Sequence, residues 1–280
     1  MSRAAPQRRV SRIRIGEPPV SVRDALAGEE PLEIRVHGQS LAVTMRTPGN
    51  DFDLAAGFLV SEGVISHARE LVTMKYCDGA GDDGVNRYNV LDLALAPDVA
   101  PPDASVARAF FTTSSCGLCG KASIDAVRTT SRFELRDDVV TVAPELLVSL
   151  PARLREAQDL FTSTGGLHAA ALFDASTGEL LVLREDVGRH NAVDKVVGWA
   201  LREDRLPLRA TILLVSGRAS FELVQKAAMA GVAMLCAVSA PSSLAAELAQ
   251  ETGMTLVGFL RDPSFVIYAH AQRVSPSTTS

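Results

Sequence analysis

Cys116 and Cys119 stand three positions apart in the Gly/Ser-rich stretch "TTSSCGLCGKASID", with Lys121 just beyond. Such a pair suits three chemistries: half of a zinc site, a dithiol redox couple, or a nucleophilic thiol that carries a group. A structural zinc site needs two more ligands, yet Cys77 and Cys236 stand alone and His168, His190 and His270 are scattered. A zinc deaminase needs His-x-Glu ahead of Pro-Cys-x-x-Cys. None of the five histidines is followed by x-Glu, and Ser-Ser precedes Cys116. A thioredoxin-like pair follows the first strand of a βαβ unit near the N-terminus, whereas this one follows a β-rich segment. For a carrier thiol, the flanking glycines expose the sulfur. A helix start at "SIDAV" and the nearby Lys121 would increase its thiolate fraction. The turn by itself leaves all three readings open.

Four later stretches interrupt apolar segments with residues a core has no use for. "FTSTGGLHAA" opens on Gly165 and Gly166 before His168. "LREDVGRHNAVDKVVG" gathers Arg184, Glu185, Asp186, Arg189, His190, Asn191, Asp194 and Lys195 around Gly188. "VSGRASFELVQK" turns at Gly217 and Arg218 into a helix begun by Ser220, and "GFLRDPSF" exposes Arg261 at the end of a strand. In an open parallel sheet, ligands bind beyond the carboxyl ends of the strands, where helix N-termini and arginines form an anion site. Arg184, Arg189, Arg218 and Arg261, with His190 and Ser220, therefore predict a phosphorylated or pyrophosphate-bearing ligand. GxxxxGK[ST] does not occur, and the one GxGxxG, Gly79 to Gly84, falls in the acidic surface turn "DGAGDDG", so neither a P-loop nor a Rossmann site is expected. Plainer roles compete. Asp186, Asp194 and Lys195 read equally as solvated helix charges, Ser220 as an N-cap, His168 as a core histidine, and His190 as a cap.

The elements that would position these groups follow from hydrophobic period. "LEIRVHGQSLAVTMRTP" predicts a hairpin turning at Gly38, "NVLDLALAP" a strand, and "NDFDLAAGFLVSEGVI" a helix capped by Asn50 or Asp51. Downstream, "HAAALFD" and "ELLVLRED" predict a second hairpin. The strands "ATILLVS", "MLCAVSA" and "TLVGFLR" then alternate with helices, and a last strand "FVIYAH" follows. That alternation predicts an α/β fold with a mainly parallel sheet covered by helices on both faces, preceded by a smaller β-rich subdomain. Composition predicts disordered tails at 1–12 and 273–280, a β-rich part at 13–130 and an α/β part at 131–272.

The 280 residues include 47% hydrophobic and 22% charged residues, ordinary for a soluble enzyme. A net charge of −5 argues against a general nucleic-acid binder. Four cysteines in so long a chain do not make a disulfide scaffold, and Cys236 in "MLCAVSA" reads as a core residue. The basic start lacks the apolar segment of a secretory signal, and no apolar run reaches the length of a membrane span. A cytoplasmic protein is expected.

Together and in this order, "SSCGLCG", "TGGLHAA", "REDVGRHNAVDKVVG", "SGRASFELVQKA" and "GFLRDPSFVIYAH" closely resemble the FdhD family of formate dehydrogenase accessory sulfurtransferases. The resemblance runs from about Ile15 to His270. It implies a cytidine-deaminase-like fold without the deaminase zinc. It also implies a sulfur carrier whose loop cysteine is loaded by a cysteine desulfurase. The sulfur then passes to the molybdenum of bis-molybdopterin guanine dinucleotide before that cofactor enters formate dehydrogenase. Cys116 matches the persulfide-bearing cysteine and Cys119 the second one, which would either release the sulfur or help accept it. Phe259, Leu260, Arg261, Asp262, Pro263 and Ser264 match the cofactor-binding segment, although "DPS" departs from the more basic or Gly-rich versions of the family. The pyrophosphates of that cofactor are the polyanion the strand-end arginines require. A homodimer is implied as well. Two rival functions remain: a chaperone that holds the pterin cofactor without moving sulfur, and a zinc deaminase-like hydrolase.

Overall fold

The structure is a computed structural model that describes residues 2–77, 88–100 and 131–275. Cys116, Cys119, Lys121 and the acidic, glycine-rich stretch "DGAGDDG" at 78–84, which reads as a surface turn, lie outside the described residues. The chain begins with a hairpin of β1 (Gln7–Arg12) and β2 (Val20–Ala25), paired in register from Gln7↔Ala25 to Arg12↔Val20. This corrects the expected disordered tail at 1–12. The arginine-rich composition suggested a solvated coil, but the alternating backbone finds a complete antiparallel partner.

β3 (Glu30–Val36), β4 (Gln39–Arg46), β5 (Leu71–Tyr76) and β6 (Val90–Leu95) form a sheet of order β4-β3-β6-β5. The β3–β4 turn places His37 at φ 51° and Gly38 at φ 78°, a left-handed pair of the kind that closes tight hairpins. Alternation gives the sheet two characters. Leu32, Ile34, Val36, Leu91, Leu93 and Leu95 are buried, while Glu33 and Arg35 pair with each other on the other face at 3.0 Å. Helix α1 (Asp51–Ser61), begun at Asn50 as expected, packs against the buried side.

The second half contributes α2 (Pro144–Glu156), α3 (Asp159–Thr164), β7 (His168–Asp174), β8 (Leu180–Asp186), α4 (Arg189–Arg202) and β9 (Thr211–Val215). It continues through α5 (Phe221–Met229), β10 (Met234–Ala237), α6 (Ser243–Thr252), β11 (Thr255–Arg261) and β12 (Ser264–Ala269). These strands form a sheet of order β12-β11-β10-β9-β7-β8. Its parallel part is the block β9-β10-β11, while β7, β8 and β12 join through antiparallel pairings. The sheet is thus mixed, because tight hairpins at both ends oblige their strands to run antiparallel.

Helices cover both faces. Leu147, Leu150 and Leu154 of α2 pack on Ala169, Ala171, Phe173, Ile212, Leu214 and Cys236. The opposite face, with Ala170, Leu172, Leu213, Val215 and Leu235, carries α4, α5 and α6. Sequence reading passed over α2. Cys236 is fully buried, as expected of a core residue, and burial pushes its thiol up. The carboxyl end also departs from expectation. Arg273 is buried, donating to the carbonyls of Asp138, Gly253 and Leu135 at 3.0, 2.7 and 2.7 Å. It pins residues assigned to a tail.

One buried cluster runs from the four-stranded sheet through α1 and α4 to the six-stranded sheet. At its centre α1 and α4 meet backbone to backbone. A Cβ placed on Gly57 would sit 1.8 Å from the Asp194 carbonyl oxygen, and one on Gly198 1.8 Å from that of Asp53. Only glycine permits such an approach.

Candidate functional site

The ends of β8, β9 and β10 and the start of β7 lie along one edge of the six-stranded sheet, fixed by the pairings His168↔Asp186, Ala170↔Val215 and Ala237↔Val215. Helices α4, α5 and α6 all begin at this edge, so their first-turn N–H groups and positive dipole ends collect there. This is the ligand-binding side of an open α/β sheet.

Arg189 opens α4 half-buried, and its Nε is buried without a hydrogen-bond partner. Arg218, in the turn after β9, is exposed and has no ion-pair partner among the described residues. The same holds for Arg261, the last residue of β11. Two strand spacings separate β8 from β9 and another two separate β9 from β11. The three cations therefore form a row about 20 Å long.

His190 follows Arg189, and its Nε2 lies 3.4 Å from the Ser220 Oγ and 3.3 Å from Oε2 of Glu222. Burial alone would raise the Glu222 carboxyl, but hydrogen bonding with His190 and Ser220 outweighs it and holds the group below its ordinary value. Oε1 of Glu222 is buried without a partner. Ser220 occupies the N-cap position of α5, yet its side chain makes no cap bond. Ser242 at the same position of α6 does, accepting from the Ala245 N–H at 3.2 Å. The reading of Ser220 as merely a cap is thereby corrected: its hydroxyl faces His190.

His168 shares the sheet face of Ala170 and Leu172, the face under α4 and α5. Its ring lies against Gly217, with Nδ1 3.5 Å from where a Cβ on that glycine would sit. Burial, then the charges of Arg189 and His190, hold the imidazole below its ordinary value against the opposing pull of Asp186. It is not the satisfied core histidine of the plainer reading, since neither ring nitrogen has a hydrogen-bond partner among the described residues. Sequence inspection undervalued His168 and passed over Glu222. The antiparallel β7–β9 pairing that carries His168 to the ends of the parallel strands has no local sequence signal.

Other predicted residues are engaged elsewhere. Arg184 donates to Oδ2 of buried Asp53 at 3.0 and 2.8 Å, opposite Arg202 on the same carboxylate, and is withdrawn from the anion group. Leu260 is 0% exposed in the core beneath α2, because strand alternation turns it inward, so it offers a ligand nothing. Phe259, Asp262, Pro263 and Ser264 are exposed at the β11–β12 turn around Arg261.

Asp186, Asp194 and Lys195 are not solvated. Lys195 Nζ contacts Asp186 at 2.7 Å and donates to the Thr47 carbonyl at 2.9 Å. Asp186 also accepts from the backbone N–H groups of Thr47 and Gly188. Asp194 receives Lys226 at 2.8 Å and the Ser61 hydroxyl at 2.6 Å. The dense polar motif is chiefly a set of buried ties between α4, α1 and β8. Glu185 accepts the N–H groups of Leu160 and Phe161 at the start of α3.

No group of three histidine, cysteine, aspartate or glutamate side chains among the described residues could hold a metal ion, and no described helix is long and apolar enough to cross a membrane. Cys77 is half-buried and free.

Comparison with known proteins places this geometry. The chain is 59% identical to the sulfur carrier protein FdhD of Mycolicibacterium paratuberculosis, over 96% of this chain and 98% of that one. It is 62% identical to the protein of the same name from Streptomyces coelicolor, over 98% and 97%. A crystal structure described as a formate dehydrogenase accessory protein of Desulfotalea psychrophila matches with a TM-score of 0.77 at 23% identity. That match covers 97% of this chain and 100% of the other, a likeness that speaks for the fold. The FdhD/NarQ family profile matches residues 27–275, and with these identities the chain belongs to the FdhD/NarQ family.

Proposed function

We propose that the protein is a sulfur carrier and sulfurtransferase for formate dehydrogenase maturation. In the first step the Cys116 thiolate attacks the terminal sulfur of a cysteine desulfurase persulfide. A new S–S bond forms on Cys116, the donor's S–S bond breaks, and the donor cysteine leaves as thiolate. The cargo's acceptor is bis-molybdopterin guanine dinucleotide, taken as substrate, with its pyrophosphates along the strand edge. The observation that carries the acceptor half is the row of Arg189, Arg218 and Arg261, which lacks carboxylate partners among the described residues although the chain has a net charge of −5. Guanidinium groups left free in a chain rich in carboxylates suit a ligand that brings its own negative charge. His190, Ser220 and the exposed Phe259, Asp262, Pro263 and Ser264 flank that row. The carrier half rests on the family and on Cys116 and Cys119 in sequence. The reading includes a cytoplasmic location, a cysteine desulfurase and formate dehydrogenase as partners, and a homodimer.

Intact-mass analysis after incubation with a cysteine desulfurase and cysteine tests the carrier half. One added sulfur is expected on the wild type and none on Cys116→Ala; an unchanged mass gain in that variant overturns the assignment. A double Cys116→Ala/Cys119→Ala chain that still restores formate dehydrogenase in cells would instead favour a cofactor-holding chaperone.

A further inference from the structure

His168 has no place in the proposed sulfur chemistry, yet its position is unusual. It begins β7 at the edge where α4 and α5 start, on the face those helices cover. Gly217 leaves its ring open on the side of the β9–α5 turn, where any larger residue would contact it. The charged groups around it come from every adjoining element. Arg189 and His190 of α4 act on it directly, Arg218 follows the Gly217 that the ring lies against, and Glu222 of α5 lies against His190. Asp186 is its cross-strand neighbour on β8. Two of these are already spent: Asp186 is held by Lys195, Asn191 and two backbone N–H groups, and Glu222 faces His190. Arg189 keeps a buried Nε without a partner, and Arg218 is exposed with no ion-pair partner among the described residues.

We propose that His168 is an anion-binding residue of the strand edge that takes up a proton when a pyrophosphate diester settles between Arg189 and Arg218. The inference rests on the reading of this edge as the cofactor's phosphate site and adds a proton to it. In the free protein, burial and then the Arg189 guanidinium hold the imidazole below its ordinary value and so favour the neutral ring. A bound anion cancels the cationic field and offers an acceptor to N–H groups on the imidazole, so the charged form becomes favoured. The sign follows by linkage: a ligand that raises a pKa binds more tightly as pH falls, by at most tenfold per pH unit. The device would tighten hold on the cargo in mild acid and loosen it in mild base.

The test uses di(guanosine-5′) pyrophosphate, whose phosphates are both diesterified and whose charge is constant between pH 6 and 8. Calorimetry in buffers of different ionisation heat reads protons taken up per ligand bound. The wild type should take up roughly 0.4 of a proton at pH 7 and bind on the order of fivefold more tightly at pH 6 than at pH 8. His168→Asn should bind with no uptake and no pH dependence, while His190→Asn keeps both. Binding without proton uptake, or uptake that survives His168→Asn and vanishes in His190→Asn, overturns this inference and leaves the phosphate site standing. No binding at any pH overturns the site as well. Should His168→Asn fail to fold, the wild-type imidazole can be followed by NMR; its pKa must rise when ligand is added, and an unmoved titration refutes the idea.

Discussion

The α1–α4 seam and the strand-end rim hold similar residues under opposite rules. Along the seam each charge has an opposite one: Lys195 with Asp186, Lys226 with Asp194, Arg184 and Arg202 with Asp53, Arg46 with Asp51. A few residues away on the rim, Arg189 has an unpartnered Nε and Arg218 and Arg261 have no ion-pair partner among the described residues. Buried ions require compensation within the protein, because leaving one unpaired costs several kcal/mol. The exposed Arg218 and Arg261 incur no such penalty and stay available to a ligand, while the buried Nε of Arg189 is an exception on the rim. The motif "REDVGRHNAVDK" therefore divides its polar residues: Asp186, Asp194 and Lys195 turn inward and tie the layers together, while Arg189 and His190 stand at the helix entrance on the rim.

Substitutions sharpen this contrast, the largest effect first. Lys195→Met leaves Asp186 charged in a buried site and should cost about 4 kcal/mol in denaturant unfolding. A loss below about 1 kcal/mol would mean the pair is wetter than its 2% and 0% side-chain exposures indicate. Gly57→Ala forces α1 and α4 apart and should cost about 3 kcal/mol, again by denaturant melts. On the rim the pattern inverts. Arg218→Ala with Arg261→Ala should move stability by less than about 0.5 kcal/mol. The same pair should weaken binding of a guanosine pyrophosphate diester at least tenfold, and unchanged affinity would break the contrast. The smallest test compares two serines at the same helix position. Ser242→Ala should cost about 1 kcal/mol through its lost cap, whereas Ser220→Ala should cost a few tenths at most.

The sequence was most informative where structure is local. The β3–β4 hairpin, α1, and the alternation of strands and helices from β9 to β11 were readable from period and turn residues alone. Helix α2 was passed over; it carries Pro144 at its start and Pro151 inside, which blur a helical signature. Partners distant in the chain were not readable. Asp53 meets Arg184 131 positions away and Thr47 meets Asp186 139 positions away, so inward and outward charges looked alike. The same limit left His168 reading as a core histidine, because its place at the strand ends depends on the sheet order. Of the two cysteines that opened the argument, the described residues contain neither.

Where α1 and α4 touch, no side chain intervenes, and the first hundred residues supply half of that contact. The amino-terminal layer is consequently not a detachable accessory: removing it would bare a glycine strip and strand Asp194 and Arg202 without Ser61 and Asp53. Neither portion could be grafted onto another scaffold as a module, and the two must be inherited together.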